Sequence, residues 1–145
     1  MAATEPVSIS TIIGVPRADL ASHWRDIAPM IGRMIERDWA GRYSVDSIRA
    51  GIEEGELQLW RWRTSVILTQ LREYPNGKEC LIFGVAGRLD PGWEEMISAI
   101  IESSGCDWAA AYARPGFEPL LRGKGWRKRQ VIMTRKINGF AGQMQ

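Results

Sequence analysis

The stretch Cys80-Leu-Ile-Phe-Gly-Val-Ala-Gly-Arg-Leu-Asp-Pro-Gly-Trp93 decides the fold, because an apolar strand runs there through a glycine-bearing turn into an amphipathic helix. A helix start carries unpaired N–H groups and the positive end of its dipole, so such a junction is a ready anion cradle when its turn is glycine-rich. This turn has one arginine and two well-separated glycines, and Pro91 removes a donor where a phosphate needs one. Asp90 reads as the N-cap with Pro91 at the first helical position. Trp93, Met96, Ile97, Ile100 and Ile101 then share one face before Gly105 ends the helix.

Upstream, Leu57-Gln-Leu-Trp-Arg-Trp62 alternates, and Thr64 to Tyr74 continues the two-residue period into the turn Pro75-Asn76-Gly77, with Lys78 to Val85 as the return strand. Further upstream the period becomes helical. Leu20, Trp24, Ile27 and Ile31 mark one buried face, with a kink or a break into two helices expected near Ala28 because Pro29 follows. A second helix is expected from Ser44, burying Val45, Ile48 and Ile52 and stopping at Gly55.

Downstream, Asp107 to Arg114 reads as a strand, Phe117 to Leu121 as a short helix and Arg127 to Ile137 as a final strand with Val131 and Met133 inward. The order gives an α+β fold with a mixed, mostly antiparallel sheet flanked by helices on both faces, its central hairpin followed by one strand–helix–strand crossover. The 145 residues fit a single domain over 1–145, with a core at about 8–137 and short terminal extensions. A chain of this size buries roughly 68–70% of its unfolded surface.

Cys80 and Cys106 lack metal-ligand spacing and read as free buried thiols, and His23 is the sole histidine, so no metal site and no Ser-His-Asp triad is expected. No window approaches a membrane span and the N-terminal residues lack the pattern of a signal peptide.

Charge is divided unevenly. Residues 1–107 hold 11 Lys/Arg against 16 Asp/Glu, whereas residues 108–145 hold 8 against 1. Arg122, Lys124, Arg127, Lys128, Arg129, Arg135 and Lys136 form a basic strip, read as a hairpin edge, that can face a nucleic acid, a phosphate-bearing cofactor or an acidic protein, or simply water. Seven tryptophans exceed what one small core can enclose, and Trp60 and Trp62, on one side of a short strand, are taken as partner anchors.

The element order resembles the GCN5-related N-acetyltransferase (GNAT) fold over roughly residues 8–137. The resemblance implies that Val85, Gly87, Arg88 and Gly92 lie where acetyl-coenzyme A would be held. It also implies that the strand 107–114 splays from its neighbour to admit the pantetheine arm. Family members usually carry Arg or Gln, two free residues, Gly, one free residue, then Gly or Ala; Arg88-Leu-Asp-Pro-Gly92 is one residue too long, and Trp93 follows it. A narrower set of pieces is similar to small tailed-phage proteins of GNAT-like fold: Val15-Pro16, His23-Trp24, Leu57-Gln-Leu-Trp60, Tyr74-Pro75, Gly105-Cys106, Ala113-Arg114-Pro115-Gly116-Phe117 and Gly125-Trp126.

These readings favour a non-catalytic, GNAT-like virion or assembly component with no cofactor, found in the virion or the host cytoplasm. It would bind other virion proteins, or an acidic surface or nucleic acid, through the basic strip. The alternative is an acetyl-CoA-dependent N-acetyltransferase in which Tyr112 serves as acid and Glu73 or Glu79 as base. A nucleic-acid-binding module is the third possibility.

Overall fold

A computed structural model describes residues 12–37, 41–113, 115–135 and 137. The positions of Trp39, Arg114 and Lys136, and both terminal extensions, lie outside the described residues.

Five strands form one sheet in the order β1 (Ile12–Val15), β2 (Gln58–Trp62), β3 (Ser65–Tyr74), β4 (Gly77–Gly87) and β5 (Trp108–Ala111). The first four pair antiparallel and β4 pairs β5 in parallel, so the sheet is mixed. The parallel step is bridged by a helix, α3 (Trp93–Ser103), as a parallel connection requires.

The two-residue period of the strands sorts the core into two clusters. Val66 and Leu68 on β3, with Leu59 and Ala86 beside them, meet Ile27 and Ile31 of α1 (Leu20–Ile35) and Ile48 and Ile52 of α2 (Val45–Glu53). Ile67, of opposite parity, joins Trp62, Cys80 and Ile82 against Met96, Ile97 and Ile100 of α3. Helices therefore cover both faces, as expected from the element order.

Local chemistry accounts for most boundaries. Ser44 accepts from the Ser47 backbone N–H at 3.0 Å while Ser47 Oγ accepts from the Ser44 N–H at 2.8 Å, a reciprocal cap that starts α2. Pro29 does not divide α1, which continues through it to Ile35. Pro29 is exposed, so the carbonyl left without its helical donor lies on the water side, where solvent satisfies it.

Four expectations are corrected. Strand β1 supplies an element the periodicity did not single out, since Ile12–Val15 is only four residues long. Helix α3 begins at Trp93 with Gly92 in the left-handed region at φ 95° as its N-cap, so Asp90 caps nothing and instead pairs with Arg88 at 3.5 Å. The fifth predicted strand is absent: none of the described residues 127–135 and 137 belongs to a strand, and Val131 and Met133 are 67% and 88% exposed rather than inward. Strand β5 ends at Ala111, short of the predicted 114, and a 3₁₀ turn then leads to α4 (Glu118–Arg122).

Candidate functional site

Strand β4 is held on its two sides to different extents. Against β3 it pairs from Gly77 to Gly87, whereas against β5 the register runs only from Glu79↔Trp108 to Ile82↔Ala111. Beyond Ile82 the two parallel strands part. Among the described residues, no strand receives the backbone groups of residues 83–87 that point to that side.

A bulge marks the same place. Leu68 faces Gly84 and Thr69 faces Ile82, leaving Phe83 as the extra residue on β4. Such an insertion bends the strand and turns a side chain, and here Phe83 joins the α1 side, with Tyr43 edge-on at 5.1 Å. The strand expected to splay over 107–114 stops at Ala111, and β4–β5 pairing ends there at Ile82↔Ala111.

At the paired end, Asp107 fastens the two strands. Its backbone N–H donates to the Lys78 carbonyl and its carboxylate accepts from the Lys78 N–H, both at 2.8 Å. Parity then places Arg72, Tyr74, Glu79 and Trp108 on one face. Glu79 accepts from Trp108 Nε1 at 3.0 Å and from the Tyr74 hydroxyl at 3.5 Å. Tyr112, one residue past β5, brings its hydroxyl to the same group, accepting from Arg72 Nη1 at 3.1 Å. The Arg72 guanidinium is pushed above its ordinary range: desolvation lowers it, and the hydrogen bonds and charge of Tyr112 and Tyr74 outweigh that.

The structure therefore joins Tyr112 and Glu79 through Arg72 and Tyr74, and separates Glu73 from them. Glu73 has the opposite parity, and it pairs with Lys78 at 3.8 Å in a highly exposed contact.

At the far end of β4, Val85, Gly87 and Arg88 line a cleft of about 390 Å³ together with Met30, Arg33, Met34, Arg37, Thr64 and Ala86. Gly92 does not line it. Gly87 has φ 86°, and a Cβ there would collide with the Thr64 carbonyl. Ser65, fully buried, donates from Oγ to the Arg88 carbonyl and ties the strand exit to the start of β3. The start of α3 is a poor anion seat. Glu94 and Glu95 occupy its first turn, where they already answer the helix dipole, and Pro91 has no N–H to give.

Arg33 and Arg37 had no sequence signal. They stand about 50 residues upstream of Arg88, and only the packing of α1 on β4 brings them beside it.

Of the partner-binding candidates, Arg122, Lys124, Arg127, Lys128 and Arg129 are exposed. Trp62 is not: it is fully buried in the α3 cluster, with Arg63 stacked at 4.8 Å from its ring, and cannot anchor a partner. Trp60 is half-buried and donates to Thr69 Oγ1 at 3.0 Å. Among the described tryptophans the exposed one is Trp108, at 40%.

A mixed sheet that parts beside a bulged central strand, with helices on both faces, is the GNAT fold, and this chain has it. No protein-family model and no curated protein matches the sequence. Solved structures do match it. An aminoglycoside N-acetyltransferase, AAC(6')-Iy, in complex with CoA aligns at TM-score 0.60 and 16% identity, over 86% of this chain and 93% of its own. A possible acetyltransferase from Clostridium difficile 630 gives 0.59 and 12% identity over 87% and 95%. An aminoglycoside acetyltransferase from an uncultured soil metagenomic sample, in complex with sisomicin, gives 0.59 and 9% over 88% and 95%.

Proposed function

We propose that the chain is an acyl-CoA-dependent N-acyltransferase, with acetyl-CoA as the donor. The observation that carries this reading is the parting of β4 from β5 after Ile82↔Ala111, beside the bulge at Phe83. It opens a strip of backbone into which an extended amide-bearing chain can hydrogen-bond. The likeness in fold to an acetyltransferase in complex with CoA supports it. When bound, the cofactor supplies an activated acyl thioester at the fork.

Tyr112 stands at the fork and holds a phenolic proton for the departing thiolate. Glu79, three residues before Ile82 on the same strand, is the carboxylate that takes the proton of the attacking amine. Arg72 positions the Tyr112 hydroxyl through its 3.1 Å hydrogen bond. Removing a positioned acid of this kind costs about 10²–10⁴-fold in rate.

Titration with acetyl-CoA by calorimetry, followed by thiol release across a panel of amines, tests the reading. Binding and turnover are expected, with Tyr112→Phe lowering kcat about 100-fold and leaving the melting temperature unchanged. No binding at millimolar cofactor overturns it.

A second reading is an assembly component of a phage virion. Two observations favour it: the acidic, proline-bearing start of α3 where a phosphate would rest, and the exposed basic residues Arg122 to Arg129. The charge there favours an acidic protein surface or a nucleic acid, with binding that weakens as salt rises. Joint reversal of Arg127, Lys128 and Arg129 to Glu is then expected to block incorporation without unfolding the chain, and normal incorporation overturns it.

A further inference from the structure

We infer that the cleft between α1 and the end of β4 is the anion site of this protein, taking the diphosphate of a nucleoside diphosphate group from the α1 side rather than at the start of α3. The inference deepens the acyltransferase reading, because it assigns the phosphate end of the donor to residues the turn after β4 does not contain.

Three exposed arginines, Arg33, Arg37 and Arg88, line it. Arg33 lies in the last turn of α1, Arg37 follows two residues past the end of that helix, and Arg88 directly follows β4. Among the described residues neither Arg33 nor Arg37 has an ion-pair partner, whereas Arg88 shares the Asp90 carboxylate at 3.5 Å. Two cations that line one cleft with no ion-pair partner among the described residues raise the local positive potential, and a bound anion offsets it. The dipole at the end of α1 accommodates basic residues in its last turn, but it gives no reason for a third arginine to arrive from β4.

The floor of the cleft suits the rest of such a ligand. Met30 and Met34 lie against the backbone of Gly87 and Gly84, since a Cβ on either glycine would stand 2.9 Å from Met30 Sδ or 2.7 Å from Met34 Sδ. Thioethers of this kind give a polarisable surface on which a purine can rest. Planar arginine forks grip paired phosphate oxygens with two hydrogen bonds each. Across the junction, α3 opposes the same ligand with Glu94 and Glu95 in its first turn.

The test is calorimetric titration of the full chain with ADP and with acetyl-CoA, on wild type, Arg33→Gln/Arg37→Gln, Arg33→Lys/Arg37→Lys and, as a control for bulk charge, Arg25→Gln/Lys78→Gln. ADP is expected to bind wild type and the control equally, and to bind the glutamine pair at least 10-fold more weakly at an unchanged melting temperature. The lysine pair, which keeps charge but loses the fork, is expected in between. Failure of ADP to bind wild type, or equal binding by the glutamine pair, overturns the inference. Acetyl-CoA binding that survives in the glutamine pair leaves the acyltransferase reading standing without it. Arginine-dependent binding of ADP alone, with acetyl-CoA not bound, leaves the anion site standing and removes the acyltransferase reading.

Discussion

The two sides of β4 are built for different purposes. Toward β3 the strand is paired along its whole length, and its middle is buried: Leu81 fully, Cys80 and Ala86 nearly so. Toward β5 it is paired over four positions and then left open. The closed side fixes where the strand lies, which allows the open side to present backbone without collapsing. A short β5 is therefore what the proposed site requires of the sheet.

Damage to the closed side should be the most costly. Leu81→Ala removes a fully buried side chain from the part of β4 that is paired on both sides, and is expected to destabilise by about 2–5 kcal/mol, read as a fall in the urea midpoint. A loss below about 1 kcal/mol would mean the strand is held less firmly than its pairing implies.

Gly87→Ala tests the junction between the two regimes. At φ 86° and against the Thr64 carbonyl, alanine forces the strand exit to move, at about 1–3 kcal/mol. Because Gly87 lines the arginine cleft, ligand affinity should fall with stability. Lost stability with intact affinity would place the ligand elsewhere.

The smallest effect concerns pH. Burial pushes the Cys80 thiol up, with the nearby Cys106 and Glu79 adding to the rise and a Ser104 hydrogen bond opposing it. The folded state thus resists ionising this thiol. Its contribution is complete below the unfolded thiol range, about 8.5, and is lost as pH rises above it toward the higher folded value. Between about pH 8 and 10, Cys80→Ala should show a shallower decline in stability than wild type. In the native protein the half-buried Cys106 should react with a thiol reagent well before Cys80; equal rates would show that the closed side opens readily.

Much of this architecture was legible because periodicity is strict where both faces are buried. The turn Pro75-Asn76-Gly77, the cap at Ser44 and the apolar face of α3 each carry a local signal that packing then confirms. Legibility failed where a partner decides. Ile12–Val15 becomes a strand because Leu59–Trp62 is there to pair with it, and Arg127 onward lacks such a neighbour among the described residues. Asp90 carries a capping signal, but the left-handed Gly92 moves the helix start beyond it. The site was legible by halves. The opening follows from two parallel strands of unequal length, whereas the separation of Glu73 from Glu79 depends on register. The arrival of Arg33 beside Arg88 depends on helix packing.

The run Val131-Ile132-Met133 holds three bulky apolar side chains in water, each more than half exposed. Its composition is that of a segment prone to intermolecular β-pairing, and Arg127, Lys128, Arg129 and Arg135 bracket it with charge of one sign. Cations so placed are expected to act as gatekeepers, with neighbouring molecules repelling at the point where they would otherwise adhere. The solubility of the protein is therefore expected to depend on ionic strength more steeply than its folding does, because salt weakens the repulsion between copies and leaves the two buried cores untouched.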